Sequence, residues 1–119
     1  MEIEETVLEL LGPFGIDRDC LGALQLARAM EILTASPAEI HAVRKGIYIV
    51  IADEHSCAWQ AVESNLRRLI DHVWEQDALK LTALAGHELA RKPTVAQFLQ
   101  IISQYLLWQR RPEYHAEQP

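Results

Sequence analysis

Apolar residues recur every three or four positions along most of the chain, which is the spacing of amphipathic helices. The clearest stripe runs through residues 59–73 and consists of Trp59, Val62, Leu66, Leu69, Ile70 and Val73. The same spacing predicts an N-terminal helix over 1–11, a second helix over about 19–35 and a last helix after residue 94. The pattern therefore predicts helices along almost the whole chain.

Helix start and stop signals support these elements. Ser36, followed by Pro37 and by Glu39, has the form of a capping box that begins a third helix. Thr94 with Gln97 three residues later has the same form at the start of the last helix. A less regular apolar segment over about 78–89 contains a glycine at position 86, which is expected to interrupt it.

Signals for β-strands are nearly absent. Residues 47–52 form the one β-branched run, and helical patterns flank it on both sides. The chain is therefore predicted to be all α, a compact six-helix single domain over residues 1–112. The polar residues 113–119 are predicted to be a disordered tail.

Residues from about 40 to 76 predict a helix-turn-helix. A helix that ends near residue 54 is followed by a short polar turn and then by the striped helix. Ala52 is small enough to let the second helix pack closely, and Val62 lies where that helix is normally anchored in the core. In this motif the second helix enters the DNA major groove. An ordinary helical hairpin with a solvated outer face has the same pattern, so both interpretations stay open.

The outer face of the striped helix carries side chains suited to base recognition. Its members are Gln60, Ala61, Ser64, Arg67, Arg68 and Asp71. Glutamine can bond adenine through two hydrogen bonds, and arginine can bond guanine in the same way. The face is therefore a candidate for contact with base edges.

The charge of the chain limits how it could bind DNA. The net charge of the 119 residues is −6, and residues 1–60 carry the whole deficit because residues 61–119 hold as many bases as acids. Cationic surfaces supply most non-specific DNA affinity, so only a local basic patch could serve here.

No apolar run approaches the ~18 residues of a membrane span, and the acidic N-terminus is unlike a signal peptide. We expect a cytoplasmic protein that makes no membrane contact.

Catalytic and metal chemistry is poorly supported by the sequence. There is no phosphate-binding glycine loop, and His87-Glu88 lacks the second histidine of a zincin helix. Cys20 and Cys57 stand alone and are expected to be small buried hydrophobes. We therefore expect no enzyme activity, no cofactor and no metal.

Four dibasic pairs are candidate phosphate contacts: Arg44-Lys45, Arg67-Arg68, Arg91-Lys92 and Arg110-Arg111. Arg91-Lys92 is the best of them because it directly precedes a predicted helix start, where backbone N–H groups and the helix dipole favour a phosphate. A solvated loop is the alternative interpretation of that pair.

The chain resembles a known family along most of its length. The segment from Gly15 to Trp74 is similar, without a gap, to the C-terminal effector domain of the sporulation initiation response regulators (stage-zero sporulation protein A). Lys92-Pro93-Thr94, followed by Gln97-Phe98, is similar to the family's Lys-Pro-Thr … Glu-Phe. The resemblance implies a six-helix fold with a central helix-turn-helix and sequence-specific DNA binding as tandem copies. Family members also carry an N-terminal receiver domain, which we do not expect here because the similarity begins about a dozen residues after Met1.

The departures from the family lie at the positions that would contact DNA. Where the family has Ser-Arg-Val-Glu-Arg, this chain has Gln60-Ala61-Val62-Glu63-Ser64, so two arginines are absent. Each lost arginine–guanine contact costs about 1–3 kcal/mol of discrimination. Arg67 matches the family, while Arg68 stands where the family has histidine. Asp53-Glu54 replaces a lysine pair and is expected to repel a phosphate backbone at short range.

Two functional hypotheses follow. In the first, the chain is a DNA-binding transcriptional regulator with altered or weakened base readout, which binds double-stranded DNA weakly as a monomer. Its predicted DNA contacts are Gln60, Glu63, Ser64, Arg67 and Arg68 in the groove and Arg91, Lys92 and Thr94 on phosphate. Pairing as a homodimer, or as a heterodimer with a related effector domain, would strengthen binding.

In the alternative hypothesis, the chain is a protein-interaction module or antagonist that pairs with a full-length relative and no longer binds DNA. An exposed Trp59 or Trp108 would favour it, although the stripe position of Trp59 predicts a core residue.

Overall fold

In the computed structural model, residues 2–109 are described, and they form five α-helices with no strand among them. The helices are α1 (Ile3–Leu11), α2 (Leu21–Ala35), α3 (Ile49–His55), α4 (Trp59–Ala85) and α5 (Val95–Gln109). The predicted all-α class is confirmed for this part of the chain. The predicted tail over 113–119 and the Arg110-Arg111 pair lie outside the described residues.

The region between α2 and α3 differs from the single helix that the sequence predicted. A 3-10 turn over Pro37–His41 is followed by one π-helical turn over Arg44–Tyr48, which leads into α3. Ser36 makes no capping hydrogen bond. The Glu39 side chain packs against the backbone of Gly46 and does not close a capping box. The contact is so close that a Cβ at position 46 would lie 1.6 Å from a Glu39 carboxylate oxygen. A contact with a residue seven positions away therefore replaces the expected local cap.

The six-helix count is not confirmed, because the predicted segment over 78–89 follows the rest of α4 across a kink at Asp77. Asp77 interrupts α4 with extended backbone angles (φ −162°, ψ 81°). Its Oδ1 accepts a hydrogen bond of 3.0 Å from the Lys80 backbone N–H, as an N-cap residue does, and helical geometry then resumes. Gly86 ends α4 in the left-handed conformation with φ 79°, where glycine has no steric cost.

The core is formed by one face of every helix. Helix α2 packs against α1, α4 and α5. At Gly22 the approach of α2 to α4 is so close that a Cβ would lie 3.0 Å from the Asn65 backbone oxygen. The α4 stripe is buried as predicted, since Val62, Leu66 and Val73 are each at most 1 % exposed. Burial of this stripe orients the opposite face of α4 outward.

No helix within residues 2–109 is long and apolar enough to cross a bilayer.

Candidate nucleic-acid interface

A turn of three residues, Ser56 to Ala58, joins α3 to α4. Ser56 adopts the left-handed conformation (φ 53°, ψ 46°), and the backbone N–H of Cys57 donates to the Ala52 oxygen at 3.0 Å. A left-handed residue other than glycine costs roughly 1–2 kcal/mol. The turn is therefore held by the packing of α3 and α4 and not by the preference of Ser56.

A cleft of about 500 Å³ lies between the outer side of α4 and the loop that begins α5. Its lining residues are Tyr48, Glu63, Arg67, Ile70, Asp71, Lys92, Pro93, Thr94, Val95 and Ala96. Four of the eight predicted DNA-contacting residues meet there: Glu63, Arg67, Lys92 and Thr94. The periodicity of α4 alone does not reveal this convergence, because the lysine and threonine come from a different element.

Both cations of the cleft are paired with acids. Arg67 Nη2 lies 3.6 Å from Glu63 Oε1, and Lys92 Nζ donates to Asp71 Oδ1. The side chains remain accessible, since that of Arg67 is 68 % exposed. Exposed ion pairs of this kind contribute at most about 1 kcal/mol. The cleft is therefore nearly neutral in total charge, but its cations are held by weak contacts that a phosphate can replace.

The loop on the α5 side of the cleft is fixed by a capping box. The Gln97 backbone N–H donates to Thr94 Oγ1 at 3.2 Å, and the Thr94 backbone N–H donates to Gln97 Oε1 at 2.9 Å. This is the arrangement that the sequence predicted. It sets where Lys92 leaves the start of α5 and so fixes one wall of the cleft.

Replacing Thr94 with alanine is expected to lower the free energy of unfolding by about 1 kcal/mol, because the Gln97 N–H loses its acceptor. Urea denaturation followed by circular dichroism measures the change. Thr94→Ser is the matched control, since serine retains the hydroxyl and is an equally good cap. Equal losses in the two variants would contradict a capping role for this hydroxyl.

Tyr48, Trp59 and Arg44 form a stack at the start of α4. The rings of Tyr48 and Trp59 are parallel within 2°, with centroids 6.2 Å apart, and the Arg44 guanidinium carbon lies 5.6 Å from the Trp59 ring centroid. Trp59 is half-buried and packs on the core. Burial raises the pKa of Tyr48 to about 12, with a smaller contribution from Glu63 in the same direction. Tyr48 therefore stays neutral at physiological pH.

The other four predicted residues lie outside this cleft. Gln60 and Ser64 are exposed on the outer face of α4. Arg68 donates to Asn65 Oδ1 at 3.0 Å and lines a separate depression of about 530 Å³ beside residues 15–22. Arg91 lines a third depression, of about 400 Å³, on the far side of its loop. The structure thus separates Arg68 and Arg91 from the Arg67–Lys92 group.

The two acids ahead of the turn differ in their surroundings. Arg28 donates two hydrogen bonds to the Glu54 carboxylate, from Nε at 2.9 Å and from Nη2 at 2.7 Å. This hydrogen bonding holds the pKa of Glu54 below its usual value. Asp53 makes no ion pair with any residue of 2–109. Arg28 of α2 neutralises the Glu54 carboxylate. The repulsion of a phosphate backbone that was expected from both acids therefore comes mainly from Asp53.

No metal site is apparent in the described part of the chain. No group of three or more histidine, cysteine, aspartate or glutamate residues there could hold a metal ion. Cys57 is exposed in the turn, against the expectation of a buried thiol, and Cys20 is half-buried. The features described above define a small helical domain with an exposed helix face beside a capped loop.

The chain belongs to the family described as Sporulation initiation factor Spo0A C terminal, whose family model matches residues 7–106. The resemblance seen in the sequence is thereby confirmed. This is a family of DNA-binding domains of transcription regulation in sporulation and not a family of enzymes, so the chain is a DNA-binding effector-like domain. A search of curated proteins finds no match to the chain.

Proposed function

We propose that this domain binds double-stranded DNA through a helix-turn-helix formed by α3, the Ser56–Ala58 turn and α4, with weaker or altered base readout than its family. The observation that carries the proposal is the convergence of Arg67, Lys92 and Thr94 on one cleft beside the exposed face of α4. Arginine on a recognition helix reads bases, and a lysine beside a capped helix start suits phosphate.

The outer face of α4 supports a change in readout. Gln60 and Ser64 are both exposed and offer hydrogen-bonding side chains to a groove, and Glu63 can accept a bond from cytosine. Ala61 is also exposed but offers only a methyl group. The remaining readout thus depends on Gln60, Glu63, Ser64 and Arg67, with Arg67 as the one arginine on this part of the face.

Phosphate contacts are proposed on both sides of this helix. Lys92 and Thr94 lie at the cleft, and Arg68 and Arg91 would reach the backbone only at the flanks of the site, because each lines a different depression. So few cations make a single copy a weak binder. Two copies, or one copy and a related effector domain, on adjacent sites would gain avidity without new contacts.

Selection from a random duplex pool, followed by fluorescence anisotropy at several salt concentrations, tests the proposal. We expect enrichment of defined sequences, and a logarithm of the association constant that falls linearly with the logarithm of salt concentration by about 0.9 per phosphate neutralised. With two to four cations at the interface, the slope should be about −2 to −4 per copy. Failure to bind any duplex pool at low salt would refute the proposal.

Two exposed leucines favour the second candidate, a module that pairs with a full-length relative and no longer binds DNA. Leu79 and Leu107 are 83 % and 66 % exposed. Trp108 is 43 % exposed, as this candidate expects, whereas Trp59 gives it no support because it lies half-buried against Arg44. A size measurement on a mixture with a full-length relative, combined with the duplex titration, distinguishes the two candidates, because only the second combines association with loss of DNA binding. No association at micromolar concentration would contradict the second.

A further inference from the structure

Arg44 lies over the aromatic ring of Trp59, and no acid of residues 2–109 pairs with it. Its guanidinium lies 5.6 Å from the Trp59 centroid, and Trp59 in turn stacks on Tyr48. A guanidinium over an aromatic ring is attracted to the ring face and can still donate hydrogen bonds through its N–H groups. Arg44 is exposed, so its donors remain accessible while the contact with Trp59 restricts its side chain.

The position of the stack connects it to the cleft. Trp59, Glu63 and Arg67 follow one another at four-residue intervals, so they lie along one side of α4. Tyr48, which stacks on Trp59, lines the cleft itself. At 1.5 Å per residue, Trp59 lies about 12 Å along the helix from Arg67. Arg44 thus extends the line of cations from Lys92 and Arg67 toward the start of α4.

Arg44 differs from the other two cations in its charge environment. Arg67 is paired with Glu63, and Lys92 is paired with Asp71. Among residues 2–109, no acidic side chain forms an ion pair with Arg44. A phosphate can therefore bind Arg44 without displacing a carboxylate, whereas binding at the other two requires the exchange of one anion for another.

We propose that Arg44 is a phosphate-binding residue of this domain, held by Trp59 and Tyr48 at the edge of the cleft where the DNA backbone passes. The inference rests on the proposed DNA binding and adds a contact that lies outside α4 and the α5 loop. Arg44 contributes affinity to every sequence alike, because it meets the sugar–phosphate backbone and not a base.

The test compares Arg44→Ala with Lys45→Ala in the full chain. Lys45 is the neighbouring residue and is also exposed, but it has no aromatic partner within residues 2–109. Its replacement by alanine removes the same charge as Arg44→Ala. Anisotropy titrations of the selected duplex and of an unrelated duplex from about 50 to 200 mM salt give the affinity and the salt slope for each variant. Circular dichroism verifies that both variants are folded.

We expect Arg44→Ala to weaken binding about fivefold to tenfold on both duplexes and to reduce the salt slope by about 0.9. Lys45→Ala should change affinity less than about twofold, as a charge without a direct phosphate contact. Arg44→Lys should retain the slope, since the charge remains. If wild-type protein binds DNA but the two alanine variants behave alike, the Arg44 proposal is overturned and the proposed function stands. If wild-type protein binds no duplex, both fail.

Discussion

Replacing Arg67 with alanine is expected to weaken binding to the selected duplex by roughly 5- to 150-fold, the equivalent of about 1–3 kcal/mol. Arg67 is the exposed arginine of the cleft, and its pair with Glu63 positions its guanidinium beside the outer face of α4. A bidentate contact with guanine accounts for a loss of this size. Anisotropy titrations on the selected duplex, and on duplexes with single base changes, measure both the affinity and the discrimination at each position.

Arg68→Ala is the matched comparison, because it removes the same charge from the next residue of α4. Arg68 is bonded to Asn65 and lines the depression on the α2 side, so its loss should cost less than about threefold, as expected of a flanking charge. The discrimination between bases should also survive in this variant. A larger effect at Arg68 than at Arg67 would show that DNA approaches α4 from the other side.

Replacing Leu66 with alanine is expected to lower the free energy of unfolding by about 2–5 kcal/mol. Leu66 is 1 % exposed, at the middle of the buried stripe of α4, and alanine would leave a cavity beneath the helix. Typical domains have only about 5–15 kcal/mol of stability in total, so a large share of it would be lost. Urea denaturation followed by circular dichroism measures the change.

Leu79→Ala provides the control for this change within the same helix. Leu79 is 83 % exposed, so the identical substitution should alter the free energy of unfolding by no more than about 0.5 kcal/mol. Similar losses at the two positions would mean that helix propensity, and not burial, dominates the stability of α4.

The sequence predicted those parts of the fold that depend on local spacing. The α4 stripe and the Thr94–Gln97 cap are determined by residues within one or two turns of each other, and both are present. The capping box predicted at Ser36 was wrong, because Ser36 makes no capping hydrogen bond. There the side chain of Glu39 lies across Gly46, a tertiary contact that no capping pattern contains. The segment predicted over 78–89 does follow a break in the helix, because Asp77 leaves helical geometry and caps the next turn, and Gly86 ends it.

The candidate site was predicted in part, from the outer face of the striped helix, from the dibasic pair before the last helix and from resemblance to the family. Periodicity identified Arg67 as outward-facing, but it could not bring Lys92 to the same cleft, since 25 residues separate them. The Arg44 stack was missed altogether. Arg44-Lys45 was visible as a dibasic pair, yet nothing in its spacing indicates that Trp59 lies beneath it. Likewise, the Arg28–Glu54 bridge joins α2 to α3 across 26 residues, and only tertiary packing reveals it.

In the proposed function, Glu63 and Asp71 lower the affinity of every single anion contact at the cleft. Each is attached to the same scaffold as the cation it neutralises, so an incoming phosphate has to replace it. For exposed pairs this exchange costs at most about 1 kcal/mol, a factor of about five in affinity. A molecule with one small cluster of charge gains little from such an exchange, whereas a duplex brings many phosphates to neighbouring cations at once. The proposed binding therefore favours a polymer over small phosphorylated molecules.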